Sequence, residues 1–188
     1  MKSVWDRQGL SCQSVCELGC AGEIVNQLAG FFPDREFVDY EISKQAFDMC
    51  QIKKGENLRF VYGDLLGEEV RFDLVLAIDV FEHVEDYFGF LRSLKSKGSY
   101  FMFHIPLDLS VQSVLRGRPL MANREEVGHL HYFSKETALA MLCDTGYEVM
   151  DYVYTSPSLH LPNRSWCETI LKVPRQVLSK LNQDFAAR

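Results

Sequence analysis

The chain has 188 residues, with 20 Lys and Arg against 26 Asp and Glu, so its formal net charge is −6. Its 47% hydrophobic and 24% charged residues match ordinary globular usage and exclude a disordered, collagen-like or mucin-like chain, and the length suits one domain over 1–188. Basic residues scattered within an acidic total argue against extended nucleic-acid binding, and no apolar run approaches the roughly 20 residues that a bilayer helix needs.

Met1–Ser11 lacks an apolar signal core, so the expected location is the cytoplasm. Cys12, Cys16 and Cys20 recur every fourth residue, but an irregular set of six cysteines in a reducing compartment reads as buried or loop thiols rather than metal ligands.

Along the chain, short runs rich in Val, Phe, Tyr and Ile alternate with segments whose apolar residues recur at helical spacing, the βαβ rhythm of a parallel sheet. The first strand is expected at Ser14–Leu18, followed by a glycine-containing turn and a helix presenting Ile24, Val25, Leu28 and Ala29. The second strand covers Glu36–Glu41, and Ser43 suits the N-cap of a helix burying Ala46, Phe47 and Cys50. The third is Leu58–Tyr62. Phe72–Ile78 is a continuous apolar run, as for a central strand covered on both faces. A helix over Tyr87–Lys95 leads through Gly98 to a fifth strand, Ser99–Ile105, stopped by Pro106. Leu107–Gly128 is less regular. Ser134 caps a helix with Ala138, Leu139 and Leu142, Gly146 ends it, and Tyr147–Tyr154 reads as a sixth strand before a helical tail over 165–188. The fold class is therefore α/β: a Rossmann-like, doubly wound, mostly parallel sheet with helices on both faces.

Three acids follow strands. In Glu17-Leu18-Gly19-Cys20-Ala21-Gly22 a strand runs into small residues that let backbone approach a ligand, although a tight turn without ligand fits the same residues. Glu41 lies 24 residues after Glu17, where an acid can accept from ribose hydroxyls or stabilise a helix N-terminus. Asp64, in Gly63-Asp64-Leu65, can accept from an exocyclic amine or form a turn.

Together these segments resemble the class I S-adenosyl-L-methionine (SAM)-dependent methyltransferases of the type 11 and type 12 group. Asp79-Val80-Phe81-Glu82-His83-Val84 after Phe72-Asp73-Leu74-Val75 is similar to that family's strand-four motif, and His129-Leu130-His131-Tyr132-Phe133-Ser134 to the segment before its last helix. The resemblance implies SAM as cofactor, S-adenosyl-L-homocysteine (SAH) as product, and a small or medium-sized acceptor. It implies cofactor contacts from Glu17, Gly19, Cys20, Ala21 and Gly22 at the first turn, from Glu41 and Ile42 at the ribose, and from Asp64, Leu65, Asp79 and Val80 around the base and methyl end.

His83, beside the expected methyl site, is the candidate base because imidazole titrates near neutrality, but Glu82-His83 can equally begin a helix. His104 reads as a core or rim residue. His129 and His131 have the spacing of a metal pair, yet no third ligand announces itself, so no metal is expected and His131 is assigned to the substrate side. Segment 107–128 looks like an acceptor-side insertion. Its Arg116, Arg118 and Arg124 suit an anionic acceptor or a solvated surface, and Phe88, Tyr132, Phe133 and Trp166 suit either pocket or core.

The sequence differs from the family pattern in three ways. Ala21 and Glu23 stand where the first motif has its second and third glycines, only 13 residues precede the first strand, and no seventh strand follows Tyr154. The last difference leaves an edge to be covered by the sixth strand, the tail or a second copy in a homodimer. Two rival readings are a catalytically silent binding or scaffold domain, favoured by the altered turn, and an NAD-binding oxidoreductase.

Overall fold

The computed structural model describes residue 5 and residues 7–19, 23–51 and 55–155. Its centre is a five-stranded sheet in the order β3-β2-β1-β4-β5, made of β1 (Ser14–Leu18), β2 (Glu36–Glu41), β3 (Leu58–Tyr62), β4 (Phe72–Ile78) and β5 (Gly98–His104). Every pairing is parallel. Among the described residues, the helices after β1 are α1 (Glu23–Phe31), α2 (Lys44–Cys50), α3 (Tyr87–Leu94), α4 (Val111–Arg116), α5 (Arg118–Ala122) and α6 (Lys135–Asp144).

The alternation of side chains along each strand divides the core into two layers. Val15, Phe37, Leu58, Leu74 and Leu76 pack with Val25, Leu28 and Ala29 of α1 on one face, while Cys16, Val38, Tyr40, Val75 and Ala77 pack with Leu65 and Leu94 on the other. Because β4 is covered on both sides, its whole run is apolar except for Asp73 at the edge of the layer. Each fully buried Leu or Phe contributes about 1.5–3 kcal/mol of transfer free energy. A third cluster joins α3 to α6 through Phe81, Leu91, Phe133, Ala138, Met141 and Leu142, with Phe133 set edge-on against Phe81. Phe133 is thus a core residue.

The five expected strands form within one residue of their sequence positions, but the expected sixth does not. Tyr147 and Val149 are half-buried between exposed Glu148 and Met150, so the period-2 pattern is real, yet the segment pairs with no strand among the described residues. Tyr147 spends its aromatic face on Phe101 and Phe103 and its hydroxyl on the Leu91 carbonyl, a packing role that produces the same alternation as a ladder. Segment 107–128 is more regular than its sequence suggests. It folds into α4, α5 and a π turn over Asn123–Val127. The helical tail expected at 165–188, with Trp166, lies outside the described residues.

The strand order reverses between β1 and β4. In an open parallel sheet the crevice at that reversal lies beyond the carboxyl ends of the strands, and the loops after β1, β2 and β4 converge there. No described helix is long and apolar enough to cross a membrane.

Candidate active site

The first wall of the crevice is the turn after β1. Glu17 is fully buried, and its Oε2 accepts from the Val25 backbone N–H at 3.0 Å, so the last polar side chain of β1 holds the first turn of α1. A carboxylate at a helix N-terminus also interacts favourably with the helix dipole. Gly19 has φ +63, a conformation that L side chains avoid, and among the described residues no atom outside its chain neighbours lies within 4 Å of where a Cβ would stand. Its N–H donates to the Tyr40 carbonyl at 2.9 Å, continuing the β1–β2 ladder into the turn. Cys20, Ala21 and Gly22 lie outside the described residues.

The second wall is the end of β2. Glu41 is only 4% exposed, and its Oε1 accepts from the Ser43 N–H at 2.7 Å, just ahead of α2, which Ser43 itself caps through Ala46 N–H. Ile42 projects to solvent. Asp64 plays a parallel part after β3, with Oδ1 accepting from Leu66 N–H at 2.9 Å to cap a short 3-10 turn over Leu65–Gly67. Leu65 is fully buried in the second core layer, so its backbone is what it can offer a ligand. Asp64 thus caps its turn, while Glu41 braces the residue that caps α2, each with one carboxylate oxygen.

The third wall follows β4. Asp79 is the one non-glycine residue with positive φ among those described (+51), a strained position worth roughly 1 kcal/mol that recurs at ligand sites. Its carboxylate meets His104 Nδ1 at 2.6 Å, and His104 Nε2 bonds the Thr155 hydroxyl at 2.8 Å. This pairing, led by the hydrogen bond to Asp79, raises the His104 pKa. His104 is therefore a rim residue of the crevice. Val80, half-buried, precedes the 3-10 turn Phe81–His83.

That turn brings together residues that are remote in sequence. Glu82, His83 and His129 each place one ligand-capable atom within 4.8 Å of the others. His83 is exposed, its Nδ1 3.2 Å from the Gly128 carbonyl oxygen, and its ring stands edge-on to that of His129 with centroids 4.9 Å apart. His129 is buried, with Nδ1 2.6 Å from Asp108 Oδ2. Burial lifts the Glu82 carboxyl to about 7. His131 lies apart from this group: Nε2 faces the Val84 carbonyl at 2.9 Å and the ring packs edge-on against Tyr87. The two-residue spacing of His129 and His131, weighed as a metal pair and set aside, does not bring both rings to one group: His129 stands with Glu82 and His83, and His131 with Val84 and Tyr87. Glu82 and Asp108 were missed altogether, and only the acid beside His83 gave any signal.

Segment 107–128 borders the same end. Arg116, Arg118 and Arg124 are exposed, and an open groove of about 580 Å³ is lined by Leu109, Ser110, Val111, Val114, Leu115 and Glu136. Tyr132 hydrogen-bonds the Leu120 carbonyl, and Phe88 packs at the edge of the third cluster. Cys12, Cys16 and Cys50 are buried thiols, and burial raises the pKa of Cys16 strongly.

With this geometry in place, a family model described as a methyltransferase domain matches residues 6–152. The chain belongs to this methyltransferase domain family. Solved methyltransferases share its fold. The magnesium protoporphyrin IX methyltransferase of Synechocystis PCC 6803, solved with bound SAH, overlays with a TM-score of 0.64 at 19% identity, covering 82% of this chain and 73% of that one. A mycolic acid cyclopropane synthase complexed with SAH and CTAB gives 0.66 at 16% identity, with 100% and 72% covered. A SAM-dependent methyltransferase of Thermotoga maritima, described as a possible histamine N-methyltransferase, gives 0.55 at 19% identity, with 74% and 65% covered. No curated protein sequence matches the chain.

Proposed function

We propose that this methyltransferase domain transfers a methyl group from SAM to a small or medium-sized acceptor. The observation that carries the reading is the pairing of Gly19, open where a side chain would stand, with the buried carboxylate of Glu41 one residue beyond the Tyr40 carbonyl that Gly19 binds. That arrangement fits a nucleoside: backbone without a Cβ on one side and an acid for vicinal hydroxyls on the other.

Glu41 would accept from the ribose through the oxygen that Ser43 does not use, and Asp64 from the exocyclic amine of adenine. Gly19 and the neighbouring Cys20, Ala21 and Gly22 would flank the amino-acid end, while Ile42 and the Leu65 and Val80 backbone would border the adenosine. Bound SAM supplies an electrophilic methyl carbon on a sulfonium. The chain's part is to align the acceptor for in-line displacement, which supplies much of the acceleration, and to help remove the acceptor's proton. Asp79, strained and fixed by His104, would form the floor of the methyl end.

His83 stands with Glu82 and His129 where the acceptor would enter, and we assign proton removal to this group. His131, committed to Val84, shapes the acceptor side. The exposed arginines 116, 118 and 124 support an anionic acceptor, and the groove lined by Val111, Val114 and Leu115 suits an apolar portion of it.

Calorimetric titration of the chain with SAH tests the reading. The expected result is micromolar binding, about −8 kcal/mol, that Glu41→Ala abolishes. A folded chain that yields neither binding heat nor a thermal shift would overturn it in favour of a silent binding domain.

A further inference from the structure

We propose that Glu82, His83 and His129 form a site for a divalent first-row transition ion of zinc-like character at the acceptor end of the crevice. One ligand-capable atom from each residue lies within 4.8 Å of the other two. Ligands about 2.1 Å from a tetrahedral ion are about 3.4 Å apart, so closure requires roughly an ångström of side-chain movement, which exposed His83 can supply.

The backbone fixes this convergence. Leu130 and His131 both donate their N–H groups to the Glu82 carbonyl, at 2.8 and 3.2 Å, clasping the loop that carries His129 onto the turn that carries Glu82 and His83. Both imidazoles are also oriented. Nδ1 of His83 can donate to the Gly128 carbonyl and Nδ1 of His129 to Asp108, which leaves each Nε2 with its lone pair. A carboxylate behind a histidine in this way is the usual second partner of a metal-bound imidazole, fixing its tautomer and raising its basicity.

Glu82 provides an independent observation. The residue is 1% exposed, and neither carboxylate oxygen has a hydrogen-bond partner among the described residues. A buried carboxyl group without partners is unfavourable in either protonation state, because even the neutral acid needs an acceptor for its O–H. A dication held between Glu82 and the two imidazoles satisfies it.

Two imidazole nitrogens and one carboxylate oxygen suit a borderline ion such as zinc, cobalt or iron(II). Magnesium and calcium favour sets made of oxygen ligands. Three protein ligands leave at least one coordination position open, the pattern of catalytic rather than structural sites. An acceptor hydroxyl at that position would release its proton to solvent more readily, so that in the ion-bound chain this group promotes proton loss through the ion rather than by accepting the proton itself, and the acceptor oxygen would form the new bond to the methyl carbon as the carbon–sulfur bond breaks. This last consequence rests on the proposed methyl transfer, whereas ion binding does not.

The test is titration of the chelator-stripped full chain with cobalt(II), read by visible absorbance, and with zinc(II), read by calorimetry. The expected result is one equivalent bound, weakened at least tenfold by His83→Asn, His129→Asn and Glu82→Gln, weakened to a lesser degree by Asp108→Asn, and unchanged by Cys143→Ser, which removes an exposed thiol. Exposed His83 can be replaced without a core cost, and circular dichroism of each variant separates lost binding from lost folding. Absence of one-equivalent binding, binding indifferent to His83 and His129, or binding lost with Cys143 would each overturn the site. SAH titration of the same stripped chain reports separately: a chain that binds SAH but fails to take up cobalt refutes the ion alone, and a chain that takes up cobalt but fails to bind SAH refutes methyl transfer alone.

Discussion

Ser14 and Asp73 grip each other across the starts of β1 and β4. Asp73 Oδ2 accepts from the Ser14 N–H at 2.9 Å and its hydroxyl at 3.1 Å, while the Asp73 N–H donates back to Ser14 Oγ at 3.0 Å. The Gln13 N–H adds a further bond to the same carboxylate oxygen. These bonds, led by those from the Ser14 and Gln13 backbone, hold the Asp73 pKa below its ordinary value. The stabilisation is therefore fully present above the unfolded-state pKa near 3.8 and is lost as pH falls through the lower folded value. Asp73→Ala is expected to cost about 1–3 kcal/mol in urea unfolding at pH 7, and the gap from the unchanged chain should narrow as pH is lowered below 4. A gap that does not change with pH would mean that packing, not the charged hydrogen bonds, accounts for it.

Gly19 separates backbone strain from ligand obstruction. Its φ of +63 suits glycine, and among the described residues no atom outside its chain neighbours lies within 4 Å of where a Cβ would stand. Gly19→Ala should lower stability by roughly 1 kcal/mol through the left-handed backbone alone, and Gly19→Asn by less, because Asn tolerates that region. If a ligand lies against this backbone, both variants should weaken SAH binding by tenfold or more despite their different stabilities. Affinity that follows stability, variant by variant, would place the ligand elsewhere.

The Glu17 carboxylate links β1 to α1 through Val25 N–H. Glu17→Gln keeps an oxygen for that bond and should retain most of the stability, whereas Glu17→Ala leaves the N–H without its partner and opens a cavity, costing about 2–4 kcal/mol. Thermal unfolding of the two variants checks the difference. Equal losses would show that the negative charge, rather than the hydrogen bond, matters at this position.

The sheet was legible because burial on both faces forces long apolar runs and each βα junction has its own local chemistry: Gly19 at a turn, Ser43, Asp64 and Ser134 at caps. Tyr147–Tyr154 was misread because packing Tyr147 and Val149 against one surface produces the same two-residue period as strand pairing. The candidate site was legible only where it is local. Gly19, Glu41 and Asp64 sit at strand ends, which sequence spacing locates, but the Asp108–His129 and Asp79–His104 contacts join residues 21 and 25 apart, brought together by the return of the chain across the crevice. Glu82 looked like half of a helix start. Its significance lies in its burial, which depends on a loop docked onto it 48 residues later.

The Asp79–His104 pair gives a pH prediction with the opposite sign to that of Asp73. Its first cause is the Asp79 hydrogen bond, which raises the pKa of His104. The contribution of a histidine with a raised pKa is fully present below the unfolded value near 6.5 and is lost as pH rises through the folded value. In NMR titration, the His104 ring should therefore change protonation above the ordinary histidine range. Asp79→Asn should return it towards that range or below, because desolvation then acts without the acid opposing it. Gly is the better comparison for the strained backbone, and Asp79→Gly should release the φ of +51 while also lowering the His104 pKa. A His104 titration indifferent to both substitutions would mean that the 2.6 Å contact does not persist in solution, and Asp79 would then be free to face the crevice instead.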